Sequence, residues 1–187
     1  MRMLFRAVVL LMLMFSLLSC KRTLTADEIP AHIVVGDLYY TQFVIRYEKG
    51  AHLTTNFRRG AMIPVNTQVK LLNITSKTIE LDIENSKQTL LIKNVLKHTG
   101  DDVFQAFDKL FSIKKQSLRS FNALERKNIA RGAVAKGMRK KAVTVAIGYP
   151  PITQTMNLDA DTWVYWSGRF NKFNVNFSRG KVSSIVD

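Results

Sequence analysis

The sequence predicts an α+β protein with two folded parts. The first is a small antiparallel β-barrel of SH3-like type, and the second is a pair of helices with a three-stranded antiparallel sheet. Three observations carry this reading. Apolar residues alternate with polar ones in short runs between residues 34 and 95, the repeat lengthens to three and four residues near Gly100, and it returns to two beyond Pro150-Pro151. Alternation marks half-buried strands, and the longer repeat marks the apolar stripe of a helix.

The chain has 187 residues, of which 47% are hydrophobic and 22% charged, with 28 Lys and Arg against 14 Asp and Glu. This composition excludes a collagen-like or largely disordered chain and a membrane protein of many spans. A single cysteine excludes an intrachain disulfide and a cysteine-based zinc or iron–sulfur cage.

Residues 1–19 read as a lipoprotein signal peptide. Arg2 and Arg6 precede an apolar run, 7–18, that only Ser16 interrupts. As a helix this run would extend about 18 Å, short of the roughly 30 Å hydrocarbon core, which is the layout of a secretory leader and not of a span. Leu17-Leu18-Ser19-Cys20 follows at once. It resembles a bacterial lipobox, which implies cleavage between Ser19 and Cys20 and acylation of the Cys20 thiol. Loss of the leader leaves 26 basic and 14 acidic residues, net +12. Each buried CH₂ adds about 0.8 kcal/mol, so several acyl chains would anchor the protein durably. Lys21 stands where the lipoproteins it resembles carry Asp for inner-membrane retention, which implies the outer membrane.

Residues 20–33 form the expected tether and 34–99 the β-rich part. Thr41, Phe43, Ile45 and Tyr47 alternate with Gln42, Val44, Arg46 and Glu48 up to the Glu48-Lys49-Gly50 turn. Val69, Leu71 and Asn73 make a second run, Ile79, Leu81 and Ile83 a third, and 89–95 closes the series. Residues 100–122 read as a basic helical linker. Asp101-Asp102 caps its start, and Val103, Phe104, Phe107, Leu110 and Phe111 recur at helical spacing. Residues 123–187 are the expected second domain, with helices over 124–131 and 140–147. Gly148 ends the latter as a left-handed residue, and Pro150 prevents its continuation. Trp163 and Tyr165, then Phe173, Val175 and Phe177, mark two strands, and Gly180-Lys181 turns into a last strand over 182–186.

Several separated elements of this last third form a pattern. Gly132 leads through Val134-Ala135-Lys136 to Gly137-Met138, and a helix ends in Ile147-Gly148-Tyr149-Pro150. Asp161-Thr162-Trp163-Val164-Tyr165-Trp166, the phenylalanine strand and a Gly-Lys hairpin follow. This resembles the SmpA/OmlA (BamE) lipoprotein domain, found in small outer-membrane lipoproteins of the machine that folds β-barrel proteins into that membrane. The resemblance covers 124–187 and implies two helices packed on a three-stranded sheet. It also implies a protein partner, the outer-membrane assembly machinery. Gly137, Met138, Gly148, Pro150, Trp163 and Tyr165 are its motif positions. Arg139 departs from the pattern, where the family has a Ser or Thr able to cap the helix. The β-rich part is a second departure, since short family members lack it.

The positive charge is uneven. Residues 114–141 hold ten basic residues and one acidic one. Lys114, Lys115, Arg119, Arg126, Lys127, Arg131, Lys136, Arg139, Lys140 and Lys141 form the expected surface for an anionic lipid, a cell-wall polymer or an acidic protein. Each such residue near an anionic surface adds about 1 kcal/mol. An exported protein does not meet nucleic acid, whatever its basicity. His32, His52 and His98 are isolated in sequence, and no metal or cofactor is expected. No Gly-rich phosphate loop or nucleophile elbow is present. Loop 153–161 and hairpin 167–172 are the expected places for exposed binding residues.

These readings converge on a non-enzymatic accessory or scaffold protein, lipid-anchored on the periplasmic side of the outer membrane. Two alternatives stand beside it: an envelope-binding module that holds peptidoglycan or another anionic polymer, and an enzyme inhibitor of similar fold.

Overall fold

The computed structural model describes residues 24–86 and 88–187. The expected signal peptide, Ser19 and Cys20 lie outside the described residues. Within them the fold is mixed α+β, with four α-helices and eleven strands.

The first sheet is strongly curled. It contains β1 (Leu38–Thr41), β3 (Ala51–Leu53), β5 (Gln68–Ile74), β6 (Thr78–Ile83), β7 (Gln88–Lys93) and β8 (Phe111–Ser112), in the order β3-β7-β6-β5-β1-β8. β2 (Ile45–Tyr47) and β4 (Ala61–Ile63) make a separate two-stranded pair. The sheet is not wholly antiparallel, because β3 and β7 run parallel, with His52 opposite Ile92. The alternating run at 41–48 also divides. Phe43, Val44 and Ile45 are buried in succession, which a two-sided strand cannot do. The amide of Gln42 bonds to the Leu110 carbonyl and that of Val44 to the Val145 carbonyl, so the backbone leaves one sheet before entering the next.

In β5 a bulge between Leu71 and Asn73 moves the inward phase by one residue. Val69, Leu71 and Ile74 are buried while Leu72 and Asn73 face water. This is why the simple alternation through Asn73 does not hold to the end of the strand.

Helix α1 (Leu96–Thr99) is one turn, and α2 (Val103–Leu110) begins at a capping box. The Asp102 carboxylate accepts from the amides of Phe104 and Gln105, each at 2.8 Å, and the Gln105 side chain accepts from the Asp102 amide. Val103, Phe107 and Leu110 place α2 in the first core with Tyr39, Leu71, Leu81 and Leu90. Phe111 leaves the helix with an extended backbone and pairs opposite Thr41 as β8. Of the segment expected as a linker, 100–122, residues 103–112 are thus built into this core and its sheet.

The second core joins α3 (Ala123–Arg131) and α4 (Lys140–Ile147) to the antiparallel sheet β11-β10-β9. Its strands are β9 (Thr162–Trp166), β10 (Lys172–Ser178) and β11 (Lys181–Val186). Trp163, Tyr165, Val175, Phe177 and Val182 point to the helices, where Val143, Ala146 and Ile147 meet them. Each large aromatic so buried contributes about 2–3 kcal/mol of apolar transfer free energy.

Asn56 staples the two cores together. It is buried, with φ of 62°, and its Nδ2 donates to the carbonyls of Ile147 at 2.7 Å and Tyr149 at 2.9 Å. These bonds satisfy acceptors beside the C-terminal end of α4, which no helical amide can reach. Gly148, next to them, has φ 74° and ψ −167°. It is therefore not the expected left-handed helical residue but occupies a region open essentially to glycine alone. A Cβ there would stand 2.7 Å from the Phe43 ring and 2.8 Å from Asn56 Nδ2.

Candidate functional site

The basic stretch 114–141 does not form one continuous face of free cations. Arg139 sits at the N-cap of α4 without a capping side-chain bond. Its Nε donates to Glu125 Oε1 at 2.8 Å, and its Nη2 to Glu125 Oε2 at 2.6 Å and to the Ser120 carbonyl at 2.7 Å. Lys140 donates to the carbonyls of Leu158, Asp159 and Ala160 and lies over the Trp163 and Phe177 rings. Arg126 bonds the Phe121 carbonyl, and Lys115 lies 5.1 Å from the Tyr40 ring centroid. Lys114, Arg119, Lys127, Arg131, Lys136 and Lys141 are exposed.

Glu125 is the buried acid behind this arrangement. It accepts from the amides of Asn122 and Arg139 as well as from the guanidinium. The Arg139 side-chain bonds hold its carboxyl down to about 2, with the two amide bonds adding to them against the cost of burial. The sequence signal was available: Asn122 and Glu125 have capping-box spacing, and the box is formed.

The motif residues hold backbone and core. Gly137 donates from its amide to the Val182 carbonyl, and the Met138 carbonyl accepts from the Val182 amide, so these residues cover the start of the β11 edge. Met138 and Pro150 are buried. Trp163 Nε1 donates to the Leu158 carbonyl at 3.1 Å, and the Tyr165 hydroxyl donates to the Gly148 carbonyl at 3.0 Å. In the loop 153–161 Met156 is 93% exposed, and in the hairpin 167–172 Phe170 is 84% exposed. Lys172 reaches from the hairpin to Gln154 in the loop at 2.8 Å.

A groove that the sequence did not signal lies between the first sheet and that hairpin. Its volume is about 1080 Å³. Arg46 comes from β2, Lys49 from the following turn, Arg59 from the loop before β4, Lys93 from the end of β7, and Arg169 from the β9–β10 hairpin. Arg59 lies against the hairpin, its Nη1 3.6 Å from the position a Cβ would take at Gly168. Among the described residues Glu48 is the one carboxylate lining the groove, and it is bonded to Arg59 at 2.7 Å. No sequence pattern could reveal this set, because the parallel β3–β7 pair and the packing of two cores bring its members together.

Two imidazoles also line the groove. His52 Nδ1 lies 2.7 Å from the Arg46 carbonyl, which can only accept, so Nδ1 carries the proton. Burial pushes His52 down to about 4, with the Arg46 carbonyl opposing and Arg58 adding to the shift, so the ring is neutral at pH 7. His98 Nδ1 is 2.6 Å from the Thr55 hydroxyl. Arg58 is half-buried and lines a separate pocket with Gly132, Ile147, Phe173 and Asp187; it is bonded to the Val44 carbonyl and to Asn56 Oδ1, while its Nη2 has no partner among the described residues. Burial and then Arg46 lower it to about 10.

Chemically, the groove offers cations and hydrogen-bond donors to an anion. Among the described residues no three His, Cys, Asp or Glu side chains gather to hold a metal ion, and no helix is long and apolar enough to cross a membrane. No family model, no curated protein and no solved structure matches the chain.

Proposed function

We propose that the protein is a lipid-anchored accessory or scaffold protein on the periplasmic side of the outer membrane, acting by docking and not by catalysis. The observation that carries this reading is the ordered N-terminal sequence of basic flank, short apolar run and Leu17-Leu18-Ser19-Cys20. In this reading the curled sheet serves as an SH3-like module, and 123–187 as a SmpA/OmlA (BamE)-like domain that docks on the machinery assembling outer-membrane barrels. Two helices over a three-stranded antiparallel sheet support the second assignment. The motif residues there hold core and turns, as a docking domain requires.

Mass spectrometry of the protein from its native membrane tests the anchor. The expected N-terminus is a diacylated Cys20, and an intact leader with a free thiol overturns the reading. Crosslinking in intact cells tests the partner, with barrel-assembly subunits as the expected products. Recovery of unrelated partners alone removes the assembly role.

A further inference from the structure

We infer that the groove between the curled sheet and the β9–β10 hairpin is a binding site for a saccharide carrying two or more phosphates. Charge is the first argument. Arg46, Lys49, Arg59, Lys93 and Arg169 converge on one concavity that holds a single carboxylate, and that carboxylate is already bonded to Arg59. A fold gains nothing from gathering like charges this way, and the arrangement raises its energy until an anion enters.

Size and wall chemistry choose the class of anion. At about 1080 Å³ the groove slightly exceeds the usual range for drug-sized ligands and is far too large for one phosphate group. The cations come from five separate places around it, so a ligand engaging them together needs several anionic groups on a spacer. Between the charges the wall is apolar: Phe57 lies beside Arg59, 5.9 Å from guanidinium carbon to ring centroid, and Leu53 and Val95 continue the surface. Flat C–H faces of sugar rings suit such a wall, whereas a small inorganic anion would leave it wet. The site does not depend on acylation of Cys20.

Isothermal titration of the full chain in detergent tests this with two probes, a glucosamine disaccharide bearing two phosphates and inorganic pyrophosphate. Lys49, Lys93 and Arg169 are exposed. The triple variant Lys49→Glu, Lys93→Glu, Arg169→Glu should weaken the disaccharide by about 30-fold or more. A control triple of equal charge change, Lys114→Glu, Lys127→Glu, Lys136→Glu, should lose less than about 3-fold, since distant charges are screened within about 10 Å. The single variant Arg169→Glu, on the exposed hairpin, should lose about 5-fold and covers the case in which the groove triple does not fold. Phe57→Ala should weaken the disaccharide and leave pyrophosphate unchanged. Absence of saturable binding by the parent chain, or equal losses in the two triples, overturns the site. Pyrophosphate binding as tightly as the disaccharide, with no effect of Phe57→Ala, overturns the saccharide.

Discussion

Arg139 stands where a capping Ser or Thr would satisfy an amide at the start of α4, and its side chain is committed to Glu125 instead. A cap is worth about 1 kcal/mol. Removing the guanidinium leaves a carboxylate of 0% side-chain exposure without its charged partner, a loss that outweighs one capping bond. Arg139→Ser should therefore lower the urea midpoint, despite restoring the cap. A more stable variant would show that the ion pair contributes less than the cap. Glu125 adds a pH signature of known sign. Its carboxyl is held from 4.5 down to about 2, so its stabilisation is complete above 4.5 and is lost as pH falls toward 2. His52 acts in a higher window. The unfolded ring binds a proton near 6.5 and the folded one only near 4, so stability falls as pH drops between these values. The limiting slope is about 1.4 kcal/mol per pH unit. Urea titrations at pH 7 and pH 5 should show this fall in the parent chain and a smaller one in His52→Gln. His98, shifted in the same direction by burial, accounts for part of what remains.

Among the elements, α2 and α3 start at formed capping boxes, whereas α4 starts at a residue whose side chain makes no cap. Asp102→Ala should cost about 1 kcal/mol, read as a lower denaturation midpoint with unchanged slope. Because α2 lies in the first core, the loss should appear in global unfolding and not as local fraying. Strand boundaries show where alternation fails as a guide. The run at 41–48 alternates well, but its amides turn to Leu110 and Val145, residues far along the chain that no local pattern contains. The β5 bulge shifts the inward phase for a similar reason, since Ile74 aligns with Ile79 of β6 after Leu71 has aligned with Leu81. Helix α4, by contrast, occupies 140–147 as read, because a glycine and two prolines after it leave the backbone little choice.

At the scale of the molecule two cores are joined by a few specific contacts, and Asn56 is central to them. Asn56→Ala removes donors to two carbonyls beside α4 and places alanine at positive φ. The expected loss is about 2–3 kcal/mol from unsatisfied acceptors and left-handed strain. Separate probes of the two cores, hydrogen exchange of the β5–β6 amides for the first and tryptophan fluorescence from β9 for the second, should then unfold at different denaturant concentrations. In the parent chain they should coincide. Coincident transitions in the variant would show that the remaining contacts couple the cores without Asn56.

Local features decided much of this protein. Alternation, helical spacing, Asp102 and the Gly148–Pro151 stop are properties of neighbouring residues, so the longer strands, the three longer helices and the α+β class were legible from the chain alone, whereas β3, β4, β8 and α1 were not. The clustered basic residues were legible too, but not their use, because whether Arg139 or Lys140 is free depends on what Glu125 and the 158–160 carbonyls do with it. The tertiary structure alone decided the parallel β3–β7 pair, the neutral buried His52 and the groove. Each depends on residues distant in sequence meeting in space, which linear periodicity does not record.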